Sequence, residues 1–324
     1  PSASSIPMKP AAGGRNPHLD FFNNMAEKAT TIEQQLSLLK NRGMAIGDKQ
    51  KATEYLLDIG YYRLGFYWFP FEKSYPRKVR RNHDFKEGTL MDYAIKLYYF
   101  DFDIRNLFLR YISRIEINLR TTIIYYVSNA YVDNPFWYVD SQVISAETIN
   151  SPEYKKALTD LAKEPLIRWD KKQHGKRPYA PAWKALEFMS FGTIIKLYES
   201  LKSPRLQCDI SKVYGTSLPS QFSNYMNTVR KLRNYCAHGK VLYDLHLDEA
   251  IGNGPLGNLR NRKTMLSGMY MVFRYFLGVI SLNRVKEMDE YLFQAFERIP
   301  YPEVIQVISD NTGFRLEELK NAST

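Results

Sequence analysis

One stretch constrains this chain more than any other. Between Thr89 and about Asn129, the residues Ile104, Leu107, Phe108, Tyr111, Ile112, Ile115, Leu119 and Ile123 recur at i, i+3 and i+4 spacing. That is the period of one buried helix face. Asp101–Arg105 and Glu116–Arg120 are acid-to-base (i, i+4) pairs that support the same helix. A long helix with one apolar stripe has to be covered by other elements. Strand signals are scarce, so those elements are helices and the expected fold class is all-α.

The flanking segments supply the partners. Thr30, Thr31, Glu33 and Gln34 have capping-box spacing ahead of Ile32, Leu36 and Leu39. A second helix is expected from Asp48, carrying Ala52, Tyr55, Leu56 and Ile59. The aromatic block Gly60–Glu72 holds two Gly and one Pro, which disfavour a long regular helix. Residues 76–86 and 168–178 read as basic loops, and 133–152 as a connection. Further helices are expected at about Pro181–Leu201, Pro219–Ala237 and Thr264–Ile280, with two more inside 285–320 and a Gly-rich turn at 252–257. The organisation is then a flexible tail over 1–25 and a helical and aromatic region over 26–88. A helical core over 89–285 and C-terminal helices over 286–324 complete it.

The net charge is +11, which favours an anionic partner, nucleic acid first and a membrane surface second. The 24 Tyr and 18 Phe serve helix packing or base stacking. The two cysteines, Cys208 and Cys236, have neither CxxC nor metal-ligand spacing. No apolar run reaches the ~18 residues of a membrane span; Met269–Ile280 is short and Arg274 interrupts it. The first 20 residues lack the apolar segment of a signal peptide. These features fit a cytoplasmic protein without cofactor, metal or membrane contact. No P-loop, GxSxG or HExxH is found.

The segment VRKLRNYCAHGK sets Arg233 and His238 with four residues between them, the R-x4–6-H spacing of HEPN ribonucleases. With 21 Arg and 5 His, about one such match is expected by accident. Arg77–His83 and Arg168–His174 are two decoys in charged loops. The third match differs in lying on a helix. There Phe222, Met226, Val229 and Cys236 share a face with Arg233 in its middle. A guanidinium on an apolar stripe either meets a buried carboxylate or lines an anion pocket. Gly239 can take the left-handed C-cap conformation and end the helix, leaving His238 at a frayed end from which it can swing toward the pocket.

An Arg–His pair suits RNA cleavage without metal. The 2′-hydroxyl would attack the neighbouring phosphate, His238 would move a proton, and the fork of Arg233 would stabilise charge on the phosphate oxygens. The products would be a 2′,3′-cyclic phosphate and a 5′-hydroxyl. One His is too few for separate acid and base, so a symmetric homodimer facing two motifs would supply both.

Four blocks carry a broader likeness: YLLDIGYYRLGFYWFPF (55–71), FDFDIRNLFLRYISRIEINLRT (100–121), APAWKALEFMSFGTIIKLYESL (180–201) and KLRNYCAHGKVLYD (231–244). In this order they resemble the Abi-like (AbiD/AbiF) family of bacterial abortive-infection proteins. The resemblance implies a HEPN-type helical bundle with added N- and C-terminal helices, kin to the nuclease modules of type VI CRISPR effectors. It implies phage defence or toxin–antitoxin control, with RNA as substrate or as a cognate non-coding RNA, and an antitoxin as a further partner. Arg233 and His238 match the family's catalytic pair, and Asn234 the polar residue that follows the Arg. Glu116 matches a recurring acid and is the candidate partner for Arg233; its alternative is the local pair with Arg120. Gly239 stands where relatives often carry a second His or another polar residue.

Arg77, Lys78, Arg80 and Arg81 form one candidate phosphate-contacting loop, and Lys171, Lys172, Lys176 and Arg177 another, with Lys240 beside the motif. Each loop is otherwise a solvated surface. The aromatic block 61–71 is either core or a base-stacking surface. Glu187, Phe191 and Gly192 read as packing residues.

Overall fold

The computed structural model describes residues 29–175 and 177–323, so the tail over 1–25 and Lys176 lie outside the described residues. The fold is all-α. Among the described residues there are fifteen α-helices, four short 3-10 helices and isolated bridges, but no sheet. The chain forms two compact units that divide between Tyr98 and Tyr99.

The first unit holds α1 (Ile32–Asn41), α2 (Lys49–Asp58) and α3 (Tyr61–Trp68). Thr31 and Gln34 close the capping box reciprocally, at 3.3 and 2.9 Å. Asp48 caps α2 through the backbone N–H groups of Gln50 and Lys51. Gly60 precedes α3 at φ +88°, a conformation costly for any residue with a Cβ. The block after it forms a helix of only eight residues and then a 3-10 turn, Phe69–Phe71, which includes Pro70. Leu64, Tyr67, Trp68, Phe69 and Phe71 are buried, which makes most of this block core.

The unit boundary falls inside α4 (Met91–Ala130), within the region expected to begin the helical core. Every member of its periodic stripe is buried, from Ile104 to Ile123. Then follow α5 (Ala146–Asn150), α6 (Pro152–Leu161), α7 (Pro165–Gln173), α8 (Ala182–Ala185), α9 (Phe191–Glu199) and α10 (Pro204–Val213). Next come α11 (Pro219–Ala237), α12 (Leu266–Ile280), α13 (Leu282–Glu297), α14 (Pro302–Thr312) and α15 (Leu316–Ser323). Aromatic side chains join them: Phe108 meets Tyr270 and Phe273, Phe222 meets Tyr214 and Phe276, and Phe100 meets Phe296. Arg274, which interrupts the apolar run of α12, is paired at 2.7 Å with the buried Asp289 of α13.

Several expectations need correction. The segment expected as a second basic loop is helical as far as Gln173, because Pro165 opens α7 and Lys171 and Lys172 sit in its last turn, where the helix dipole favours cations. The helix expected over 181–201 breaks at a 3-10 turn, Leu186–Phe188, and restarts under the Ser190 cap. Three helices, not two, fill the C-terminal segment, because Pro302 opens α14 and Gly313, at φ +75°, ends it. α6 and α10 add to the periodic segments. Each opens with a capping Ser followed by Pro at the first position.

Candidate functional site

The site is built on the end of α11. Gly239 adopts φ +62°. Its N–H donates to the Cys236 carbonyl at 3.1 Å, and the Lys240 N–H donates to the Tyr235 carbonyl at 3.0 Å. This pair of bonds is a Schellman closure. His238 is the C-cap residue, with its own N–H on Asn234 at 3.0 Å. The helix end expected to be frayed is therefore tied down. The His238 side chain is exposed, and the cap, not a loose backbone, sets where it projects.

α4 holds the segment beyond the cap. Asp101 is fully buried. Its carboxylate accepts the backbone N–H of Leu242 at 2.9 Å and that of Tyr243 at 2.8 Å. Arg105 donates to the same carboxylate at 2.8 Å and to the Lys240 carbonyl at 3.3 Å. A buried carboxylate is tolerated only with such a full set of partners. Cys236 is buried beside this cluster. Burial pushes its thiol up to about 12, with Arg105 acting against the rise and Asp101 adding to it.

Arg233 is half-buried, not central to an apolar face. The buried stripe of α11 includes Tyr225 and Leu232 as well as Val229 and Cys236. With Phe222 and Met226 kept in the face, adding them moves its centre to about 50° from Arg233, at 3.6 residues per turn. Among the described residues no carboxylate pairs with Arg233; its one hydrogen bond goes to the Asn234 side-chain oxygen, at 3.4 Å. Glu116 is not its partner. Arg120, one turn further along α4, takes Glu116 at 3.4 Å, and its nearly buried guanidinium also reaches the Met189 carbonyl at 3.2 Å and Glu187 at 3.5 Å. The local pair prevails because Arg120 is anchored from both sides.

The 187–193 segment packs as expected in part. Phe191 is buried, and a Cβ added at Gly192 would stand 3.5 Å from the Arg230 side chain of α11. Glu187 is exposed apart from its contact with Arg120.

The basic residues separate into two kinds. Arg77, Lys78, Arg80, Lys171, Lys172, Arg177 and Lys240 are exposed, the last with its ammonium 4.8 Å above the Tyr235 ring. Arg81 is not available in the same way. Its guanidinium is 3% exposed, forms a two-pronged pair with the buried Glu72, and lies over the Phe69 ring. Burial alone would raise Glu72, but His83 and Arg81 outweigh it and hold the carboxyl below its usual range. The decoy residue His83 is thus part of a structural cluster, and His174 lies 3.7 Å from the buried Asp170.

The sequence of residues 54–244 matches the Abi-like protein family. That span covers well over half the chain and ends on the segment that Asp101 holds.

This chain is a member of the Abi-like protein family.

Neither a curated protein nor a solved structure matches it. Abi-like membership points to abortive infection, a bacterial defence against phage. No helix among the described residues is long and apolar enough to cross a membrane. Asp101 and Arg105, which fix this Abi-like site, lie inside the 100–121 block but do not stand out there as site residues. The signal they offer is an acid on the apolar stripe, three residues before Ile104.

Proposed function

We propose that this protein is a HEPN-type endoribonuclease of phage defence, with Arg233 and His238 as its reactive pair and Asn234 orienting the guanidinium. The observation that carries this reading is the contrast around the cap. The neighbouring charges Asp101, Arg105, Glu116 and Arg120 are all consumed internally. Arg233 and His238 are left facing outward without a carboxylate partner among the described residues. A half-exposed guanidinium near the end of the helix and an exposed imidazole at its cap suit a phosphate and a transferable proton. The net charge of +11 favours the same polyanion.

In the reaction, the 2′-oxygen bonds to phosphorus as the bond from phosphorus to the 5′-oxygen breaks. One His238 takes the 2′-hydroxyl proton and His238 of a second copy protonates the departing 5′-oxygen. Arg233 donates to the non-bridging oxygens as charge builds. Glu116 has no direct part, since Arg120 engages it. A cognate RNA or an antitoxin would hold the pair in check.

The second reading is a protein that grips a structured non-coding RNA without cutting it. A single His at each motif favours it, if copies do not face one another. Incubation of RNA-stripped protein with labelled RNA in EDTA tests both. Cyclic phosphate ends that disappear in His238→Ala support the nuclease. Intact RNA, bound equally by both proteins, leaves the binding reading.

A further inference from the structure

α7 is amphipathic in the reverse sense. Its buried residues are Ile167 and Asp170, while Leu166 and Trp169 face solvent. Asp170 is 1% exposed and accepts the Lys184 ammonium of α8, the residue after Trp183. One ion pair, between a buried carboxylate and an exposed lysine, therefore links the two helices, and each carries a solvent-facing indole next to a member of the pair. Trp169 is 56% exposed, Trp183 50% and the nearby Tyr179 42%. Neither indole makes a hydrogen bond or ring contact among the described residues. Tryptophan normally buries most of its ring and gives its N–H a partner. The surrounding cations Lys171, Lys172 and Arg177 are exposed and have no ion-pair partner among the described residues.

Rigidly mounted aromatic faces among unpaired cations are what unstacked bases and their phosphates require. A duplex hides its base faces. We propose that α7 and α8 form a stacking platform for single-stranded RNA, with Trp169 and Trp183 as the base-contacting surfaces and Lys171, Lys172 and Arg177 on the backbone. This rests on RNA as the ligand but not on its cleavage, and it adds an RNA contact separate from the Arg233–His238 motif.

The chain has four tryptophans, and Trp68 and Trp137 are buried, so quenching of indole fluorescence by stacked bases reports on Trp169 and Trp183. The full chain, stripped of RNA, is titrated with a single-stranded oligoadenylate whose 2′-hydroxyls are methylated, so that no cleavage by 2′-attack intervenes. Saturable quenching is expected. Trp169→Leu and Trp183→Leu are each expected to weaken binding about tenfold, from the loss of one stacked base, and Trp→Phe at either position to restore part of it. The platform is overturned if fluorescence stays constant at saturation, if the Leu variants bind as the parent does, or if duplex RNA or anionic lipid vesicles quench as strongly. Quenching without cleavage of unmodified RNA would remove the nuclease reading and keep the platform. Cleavage without quenching would do the reverse.

Discussion

The carboxylate of Asp101 accepts the backbone N–H of Leu242 at 2.9 Å, across 141 residues of sequence. With the Tyr243 N–H and Arg105, it ties the strand of chain leaving His238 to the longest helix. Asp101→Ala would strand a buried guanidinium and two backbone donors. The expected loss is about 3–5 kcal/mol, the cost of breaking a buried pair from one side, read as a lower urea midpoint. Asp101→Asn keeps an acceptor for the N–H groups and should lose less. An unchanged midpoint for the Ala variant would remove Asp101 as the anchor of the site.

Gly239 sits at φ +62° with open space where a Cβ would stand. Its requirement is conformational, not steric. Gly239→Ala should cost about 1–2 kcal/mol, the penalty of left-handed backbone for an L-residue, and Gly239→Asn less. Thermal unfolding measures the cost. If His238 depends on the Schellman closure, RNA cleavage should fall further in the Ala variant than the small stability change explains, at temperatures where both proteins are folded.

These two residues show what a sequence yields and what it hides. Gly239 was legible, because a Gly just past an apolar-periodic helix has one common use. The stripe of α4, the Thr31 box and the Asp48 cap were legible for the same reason: each is a local pattern with a local cause. Asp101 shows in the sequence only as half of an (i, i+4) pair, because its other partners are backbone N–H groups, which no side-chain pattern encodes. Arg233 sits shallower than its helix face in the sequence implies, because Tyr225 and Leu232 draw the buried face away from it. Glu116 pairs locally and not across the fold, because Arg120 is one turn away and the Met189 carbonyl holds it in place.

Glu72 gives a pH signature. Its folded carboxyl lies below the usual value of 4.5, so it contributes stability that is fully present above that pH. The contribution disappears as pH falls from about 4.5 through the depressed folded value. Glu72→Gln should therefore be destabilised at neutral pH, and the gap from the parent should narrow steadily below pH 4.5. Denaturant unfolding of both proteins over a pH series tests this. A gap independent of pH would show that the Glu72 carboxyl titrates alike in the folded and unfolded protein, without the depression that His83 and Arg81 impose.

Cys236 should be chemically silent. It is 4% exposed and its thiol is pushed up to about 12, so almost no thiolate exists near neutrality. Iodoacetamide on the native protein should label Cys208 ahead of Cys236, with both labelled in denaturant, as peptide mass spectrometry would show. Rapid native labelling of Cys236 would mean that the α11 end opens often, contrary to its Schellman closure.

Arg233→Lys separates charge from geometry. Arg233 has a single 3.4 Å hydrogen bond to Asn234 and no ion pair among the described residues, so the melting temperature should hardly move. Lysine keeps the positive charge, and RNA affinity and its salt dependence should stay close to the parent. What lysine lacks is the planar fork that engages two phosphate oxygens together. If the guanidinium stabilises the charge that grows on phosphate, cleavage should fall about 100-fold or more, the usual effect of removing one such donor set. Arg233→Ala should lose that and also lower the salt slope by about one contact. Full activity in the Lys variant would reduce Arg233 to a point charge and shift the burden of transition-state stabilisation elsewhere. A Lys variant that binds normally but no longer cuts would assign the fork to the reacting phosphate.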